Sequence, residues 1–234
     1  MFGMQNKSIF EDITLNEQDY LKAIFHLTID SNLEKVGTNK LAEQLSLSPG
    51  SVNLMIKKLK SKSLVEYEKY GKINLTEKGE ELALRLVRKH RLWETFLCEK
   101  LNFTWDEVHN IAEQLEHINS EKLIDRLEEF MNFPEKDPHG SLIPQKNKEY
   151  KFYVLSNLSE YEPESKVKVI SIDDASDELL KYATSINISI GTEIKILEKR
   201  KFDNSILISI NKKEVQITNQ FAESIFVEWE FNIT

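Results

Sequence analysis

The chain has 234 residues, of which 40% are hydrophobic and 30% are charged, and its formal net charge is −8. This composition excludes a disordered chain, and the length allows one large domain or roughly two to three small ones. The sequence has no run of eighteen apolar residues and no basic-then-apolar leader, so we expect a cytoplasmic protein with no membrane partner.

The charge is unevenly distributed along the chain. Residues 38–91 contain twelve Lys and Arg against six Asp and Glu, which leaves a net charge of −14 on the rest of the chain. A basic segment inside an acidic protein indicates a polyanion-binding module joined to modules with another task.

One cysteine occurs, Cys98. It has no partner for a disulfide within the chain, as is usual in the cytoplasm. Its neighbours Phe96, Leu97 and Leu101 are apolar, so we expect a buried small side chain and not a nucleophile.

The first predicted element is an amphipathic helix in NEQDYLKAIFHLTI, with Asn16 as its N-cap and Glu17 in its first turn. Its apolar residues recur at helical spacing. They are Tyr20, Leu21, Ile24, Phe25, Leu27 and Ile29.

The next segment predicts a helix-turn-helix. Thr38 caps a short helix that runs to Leu45, and residues 46–48 form a tight turn. A second helix opens at Ser48 or Pro49 and turns apolar residues inward. These residues are Val52, Met55, Ile56 and Leu59. Two helices joined by so short a turn are typical of DNA-binding proteins.

The segment LVEYEKYGKINLT alternates around Tyr70-Gly71, which predicts a two-stranded hairpin and hence a winged variant. Helical spacing returns in EKGEELALRLVRKHRLWETFLCEKL, TWDEVHNIAEQLEHI and SEKLIDRLEEFMNF, with Thr104 and Ser120 as caps. Helix then ends in FPEKDPHGSLIPQ, which contains three prolines and a glycine.

After residue 150 the pattern becomes that of short strands. KVKVISI, TEIKILE, SILISIN, KEVQIT and IFVEWEF alternate apolar and polar residues, with one helix in ASDELLKYATSIN. Short strands with tight turns predict a small barrel. We therefore predict an α+β, mainly helical protein with domains at 1–76, 77–149 and 150–234. No phosphate-binding glycine loop occurs in the sequence.

The segment HNIAEQLEH contains four candidate metal ligands. In one helix, His109, Glu113, Glu116 and His117 would lie within roughly a third of the circumference and face one point. The same spacing is also typical of a solvated polar face. Imidazole and carboxylate ligands without thiolate suit Mn(II), Fe(II), Co(II) or Zn(II), so both interpretations stay open.

Other residues are candidates for the same chemistry. His90 and Glu94 lie four residues apart on one helix face, and Asp19 is a carboxylate in the first amphipathic helix. His139 lies in the proline-rich break, whereas His26 lies apart from these groups.

Several segments together resemble the diphtheria-toxin-repressor family of metal-dependent transcriptional regulators, and most closely its manganese-responsive branch. They are LNEQDYLKAIF, LAEQLSLSPGSV, VRKHRLWETFL, DEVHNIAEQLEH and FPEKDPHGSLIP. The resemblance spans nearly the whole chain. It implies a winged helix-turn-helix domain, a helical metal-binding and dimerisation domain, and an SH3-like (FeoA-like) domain.

The resemblance also implies a primary metal site formed by Asp19, Glu113, Glu116 and His117. In the iron-responsive branch the positions of Asp19 and Glu113 hold methionine and cysteine. Oxygen ligands at both positions favour Mn(II), with Fe(II), Zn(II), Co(II) and Cd(II) as alternatives.

For a second site the family offers two sets. One is His90, Glu94 and His109; the other is Glu94 with Asp137, His139 and Asp174 of the C-terminal domain.

The chain departs from the family pattern at two positions. Lys22 stands where two-domain manganese regulators have a glutamate of a binuclear centre, so we do not expect that centre here. Asp137 stands where close relatives have cysteine. An oxygen ligand in place of a thiolate would make the second site prefer harder cations, or would weaken its affinity for metal.

In a helix-turn-helix the second helix enters the major groove, and its first residues face base edges. The candidates for base readout are Ser48, Pro49, Ser51 and Asn53. The candidates for phosphate contacts are Lys57, Lys58 and Lys60. Each of these residues has a structural alternative, as a helix cap, a first-turn residue or a solvated lysine.

The sequence thus predicts a non-enzymatic, manganese-responsive repressor of metal-uptake genes, a homodimer that binds double-stranded DNA at a palindromic operator. Two rival interpretations are a metal-dependent hydrolase and a winged-helix regulator with a small-molecule effector. HExxH is absent, which disfavours the first, and metal-independent DNA binding would favour the second.

Overall fold

The computed structural model describes residues 12–30, 36–67, 71–146, 148–150, 155–173 and 176–229. They fall into two units, each with its own hydrophobic core. The first unit takes its residues from 1–90, 115–127 and 144–152, and the second from 91–114, 128–143 and 153–234. The predicted domain boundaries at residues 76 and 149 stay a prediction.

Helix α1, Leu15–Phe25, begins earlier than predicted. Thr14 is its N-cap, because the Glu17 N–H donates to the Thr14 hydroxyl while the Glu17 carboxylate accepts from the Thr14 N–H at 2.8 Å. The prediction of Asn16 as N-cap was therefore wrong, since Asn16 already lies in the first turn. A π-helical segment, His26–Asp30, continues the chain.

The helix-turn-helix prediction is confirmed by α2, Thr38–Gln44, and α3, Pro49–Ser61. Gly37 is the N-cap of α2, so Thr38 is its first residue and not its cap. Ser48 caps α3 by accepting from the Ser51 N–H. The inner face of α3 is fully buried at Val52, Ile56 and Leu59.

The predicted wing is also present. Strand β1, Val65–Tyr67, pairs antiparallel with β2, Ile73–Leu75. Tyr70 of the predicted turn lies outside the described residues. The core of the first unit is built from α1, α2, α3, the wing and the first part of α4, Glu77–Leu101.

The remaining helices are shorter than their sequence patterns. Helix α5 is Val108–Leu115, so Glu116 and His117 lie in a turn just after it. Thr104 does not cap α5; its N–H and hydroxyl bind the Glu107 carboxylate in the preceding turn.

Helix α6 is Glu121–Phe130, and Ser120 caps it as predicted by accepting from the Leu123 N–H.

The second unit contains a six-stranded antiparallel sheet in the order β3-β8-β4-β5-β6-β7 among the described residues. Its strands are β3 Ser156–Asn157, β4 Lys166–Ile172, β5 Glu193–Lys199, β6 Ile206–Ile210, β7 Lys213–Ile217 and β8 Ile225–Trp229. Two helices pack on this core, the predicted α7, Asp177–Ser185, and an unpredicted α8, Asn219–Glu223. Among the described residues, no helix has the length and hydropathy needed to span a membrane.

Gly79 has no side chain, so the first turn of α4 can lie close to the backbone of Leu64, the residue before β1. A Cβ at Gly79 would lie 2.0 Å from the Leu64 carbonyl oxygen, whereas a Cβ at Gly50 of α3 would meet nothing nearer than 3.8 Å. Gly79→Ala is therefore expected to lower the free energy of unfolding by about 1–3 kcal/mol through overpacking. Gly50→Ala, the matched control, is expected to leave it unchanged or raise it by up to ~1 kcal/mol. Urea unfolding of both variants checks this, and equal stability of the two would contradict it.

Candidate functional site

Three predicted ligands meet in the first unit. Asp19 on α1 and Glu116 and His117 after α5 each offer one ligand atom, and these atoms all lie within 4.8 Å of one another. We call Asp19, Glu116 and His117 the first cluster. Two carboxylates and one imidazole are donors that suit a hard or borderline divalent cation.

The His117 ring is oriented by a neighbour of Asp19. His117 Nδ1 donates to the Gln18 amide oxygen at 3.0 Å, which leaves the lone pair on Nε2. Nε2 lies 3.5 Å from Asp19 Oδ1. Metal-binding histidines usually donate their second nitrogen to a protein oxygen in this way, so the geometry fits a ligand.

Glu116 is fully buried and held by Lys22 and His90. The Lys22 ammonium donates to both carboxylate oxygens at 2.9 Å, and His90 Nδ1 lies 2.5 Å from Oε2. Burial alone would raise the pKa of Glu116, but the His90 hydrogen bond and the Lys22 charge outweigh it and lower the pKa below its usual value. Glu116 is therefore an anion inside the protein.

A second cluster, Glu94, Asp137 and His139, lies in the second unit, with its ligand atoms also within 4.8 Å of one another. All three residues are buried. His139 Nε2 donates to the Trp105 carbonyl oxygen at 2.8 Å, so its Nδ1 is the nitrogen that faces Glu94 Oε2, at 3.7 Å. As at His117, one ring nitrogen donates to a protein oxygen and the other faces a carboxylate, but the roles of Nδ1 and Nε2 are exchanged.

Asp137 also builds the loop that carries His139. Its Oδ1 accepts from the backbone N–H groups of His139 at 2.8 Å and of Ser141 at 3.0 Å. Its Oδ2 lies 3.6 Å from Arg91 Nε. Asp174, the fourth predicted member of this set, lies outside the described residues.

The other predicted ligands divide between the units. His109 and Glu113 lie in the second unit, where His109 Nδ1 is 3.4 Å from Glu94 Oε1 and Nε2 is 3.5 Å from Glu113 Oε1. Glu94 thus lies beside His109 and His139, one from each predicted second site. His90 belongs to the first unit, where it binds Glu116.

The residues predicted for base readout already form hydrogen bonds with one another at the start of α3. The Ser48 hydroxyl caps the helix and lies 2.9 Å from the Ser51 hydroxyl. The Asn53 amide nitrogen donates to the Pro49 carbonyl at 3.0 Å, and its oxygen accepts from the Tyr67 hydroxyl at 3.2 Å.

The predicted phosphate-binding lysines differ in their surroundings. Lys57 is exposed, Lys58 Nζ lies 3.4 Å from the buried Glu17 carboxylate, and Lys60 donates to the Tyr67 carbonyl at 2.6 Å.

Glu17 is the buried carboxylate beside Lys58. Burial alone would raise the pKa of Glu17, but hydrogen bonds from Lys62 and Thr14 outweigh this effect and lower the pKa to about 2.

Three protein-family descriptions match consecutive parts of the chain. They are "Iron dependent repressor, N-terminal DNA binding domain" at residues 12–73, "Iron dependent repressor, metal binding and dimerisation domain" at 76–145, and "FeoA domain" at 156–228. The HTH-type transcriptional regulator MntR of Lysinibacillus sphaericus is 34% identical over 125 residues, which cover 53% of this chain and 88% of MntR. The chain belongs to the iron-dependent repressor family.

This result confirms the resemblance to the diphtheria-toxin-repressor family and the predicted order of a helix-turn-helix, a helical and a C-terminal sheet domain. A manganese-dependent transcriptional repressor in complex with manganese has a similar structure, with a TM-score of 0.84 and 35% identity over 92% of this chain and 100% of the other. ScaR with bound Zn²⁺ gives a TM-score of 0.81 and 30% identity over the same shares.

The similarity to one relative is partial. A stretch of 75 residues is 41% identical to a probable metal transport system membrane protein of Chlamydia trachomatis, of which the chain covers 17%. The shared stretch amounts to 32% of this chain.

Two residues of this repressor-family protein that sequence reasoning missed orient the predicted ligands. Gln18 is adjacent to Asp19, and a polar residue beside a ligand is a weak signal that could have drawn attention to it. Trp105 contributes a backbone oxygen and stacks on His139 with ring centroids 6.0 Å apart. No sequence pattern marks a backbone carbonyl as a partner, so only the structure could find this contact.

Proposed function

We propose that this protein is a manganese-responsive repressor of metal-uptake genes that binds a palindromic operator as a homodimer. The observation that carries this proposal is the first cluster, because it joins α1 of the DNA-binding domain to the turn after α5 of the metal-binding domain. A cation held there would connect the DNA-binding helices to the rest of the first unit.

The donor set supports manganese. Asp19 supplies oxygen where the iron-responsive branch has methionine, and no thiolate takes part in the first cluster. Zn(II) binds nearly any such set more tightly than Mn(II), so the metal available in the cell also decides which ion acts. Fe(II), Zn(II), Co(II) and Cd(II) remain the alternatives, and Glu113 remains the fourth predicted ligand.

The chain's own residues prepare the first cluster for a cation. Gln18 fixes the His117 ring, and Lys22 with His90 keeps Glu116 ionised. A bound cation would supply positive charge between the Asp19 and Glu116 carboxylates and so reduce their mutual repulsion. Held by this attraction, α1 and the helix-turn-helix of each protomer would keep a half-site spacing near one DNA turn of about 34 Å.

The binding of metal and the binding of DNA are then thermodynamically coupled. If metal raises DNA affinity by some factor, linkage requires DNA to raise metal affinity by the same factor. The second cluster is proposed as a further metal site, formed by Glu94, His139 and Asp137, with Asp174 or His109 as the additional ligand. Its buried imidazole and carboxylates support this role.

The test is fluorescence anisotropy of metal-stripped protein on an operator selected from its own genome, titrated with Mn(II), with anaerobic Fe(II) and with Zn(II). A steep rise of DNA affinity with Mn(II) is the expected result. Equal affinity in chelator would overturn the proposal and would favour a structural role for the clusters. Counting bound Mn(II) per chain in the same samples tests the second cluster, for which two ions are expected and one would count against it.

A further inference from the structure

Helix α3 presents an apolar side chain to solvent at its centre. Leu54 is 70% exposed, more than any other large apolar side chain described in the first unit. It lies on the face opposite Val52 and Ile56, which are fully buried in the core. No other described part of the first unit covers it.

The neighbours of Leu54 on this face are small or cationic. One turn before it lie Gly50 and Ser51, and one turn after it lie Lys57 and Lys58, all of them exposed. Small residues permit close approach of a large surface, and lysines at the far end suit phosphates. The basic segment of residues 38–91 contains this whole face. This charge favours a polyanion over an apolar protein partner.

Asn53, the polar residue next to Leu54 in the chain, already forms hydrogen bonds within the protein. The Asn53 amide donates one N–H to the Pro49 carbonyl and accepts from the Tyr67 hydroxyl, so these two bonds fix its orientation and leave one N–H and one lone pair for a base. Leu54 has no polar group and is 70% exposed, so its side chain is available for an apolar contact with a base edge. In the major groove an apolar side chain distinguishes one base group, the C5-methyl of thymine.

We infer that Leu54 is a specificity-determining residue that contacts the C5-methyl of one thymine in each operator half-site. The inference rests on the proposed DNA-binding function. Thymine is then preferred at that position over cytosine, which lacks the methyl group, and over uracil, which differs from thymine by the methyl alone.

The experiment replaces each thymine of the selected operator by deoxyuridine, in both half-sites together, and measures the dissociation constant by anisotropy in saturating Mn(II). At one symmetric pair of positions the wild-type protein is expected to lose about fourfold in affinity per half-site, the effect of one buried methyl group. Leu54→Ala is expected to bind the thymine and deoxyuridine operators equally. Because Leu54 is exposed, this variant is expected to unfold at the same temperature as wild type.

Lys57→Ala is the matched control on the same face. It should weaken binding to both operators by the same factor and reduce the salt dependence, because a phosphate contact carries no sequence information. The inference is overturned if no deoxyuridine substitution changes the affinity, or if the loss persists in Leu54→Ala. Loss of the manganese response with the thymine effect intact would overturn only the proposed regulation. Failure to select any operator would overturn both.

Discussion

His117→Ala is expected to abolish the response of DNA affinity to Mn(II). The variant removes the only imidazole of the first cluster and leaves Asp19 and Glu116. Its affinity for Mn(II) is expected to fall by at least about 100-fold, the upper end of the loss seen when only an outer partner of a metal site is removed. At Mn(II) concentrations that saturate wild type, the DNA affinity of the variant should equal that of metal-stripped protein.

Two variants make this result specific. His26→Ala removes a histidine that lies outside both clusters, so its manganese response is expected to match wild type. Gln18→Ala removes the oxygen that orients His117, together with a 3.5 Å hydrogen bond to the Ile13 carbonyl, and leaves the three ligands in place; we expect a smaller loss of Mn(II) affinity, about 10-fold. Isothermal titration with Mn(II) and anisotropy with operator DNA measure the two effects. A normal manganese response in His117→Ala would show that the first cluster is not the sensor.

Lys22→Met is expected to lower the free energy of unfolding of metal-free protein by about 3–5 kcal/mol, the usual cost of leaving one partner of a buried ion pair alone. Lys22 and Glu116 are both almost inaccessible to solvent, with side-chain exposures of 9% and 0%. Methionine has a similar length but no charge, so the buried Glu116 carboxylate loses its ammonium partner and keeps the contact with His90.

Lys40→Met is the matched control. Lys40 pairs with Glu43 at 3.1 Å, but the two side chains are 49% and 72% exposed, so the loss should be about 0.2–1 kcal/mol. Urea unfolding in chelator measures both variants. Added Mn(II) is expected to restore much of the stability of Lys22→Met, because a cation at Glu116 then replaces the missing ammonium. Equal losses for Lys22→Met and Lys40→Met would contradict this account of the buried pair.

Much of the fold could be predicted because the signals are local. Helical spacing of apolar residues gave the limits of α4 at Glu77 and Leu101, and alternation gave β4 as KVKVISI. Errors arose at helix ends, where neighbouring polar residues compete for the same free N–H groups. Thr14 and Asn16 are both good caps, and only the reciprocal bond with Glu17 decides between them.

The candidate ligands could be named from the sequence only because of the resemblance. Spacing placed His109, Glu113, Glu116 and His117 on one helix, but α5 ends at Leu115. Glu116 and His117 therefore reach their partners from a turn. The periodicity argument was wrong about that local structure, whereas the residues it selected still include two members of the first cluster.

Residue types and their order were enough to predict the chemistry of this protein: oxygen and imidazole donors without thiolate, a basic helix-turn-helix, and membership of a repressor family. Which donors meet, and which side chains hold them, depends on the packing of distant segments. Lys22 and Glu116 are 94 residues apart, and His117 and Gln18 are 99 apart. Hydrogen bonds and ion pairs act over about 3 Å, so a linear pattern carries no record of such pairs until packing brings the segments together.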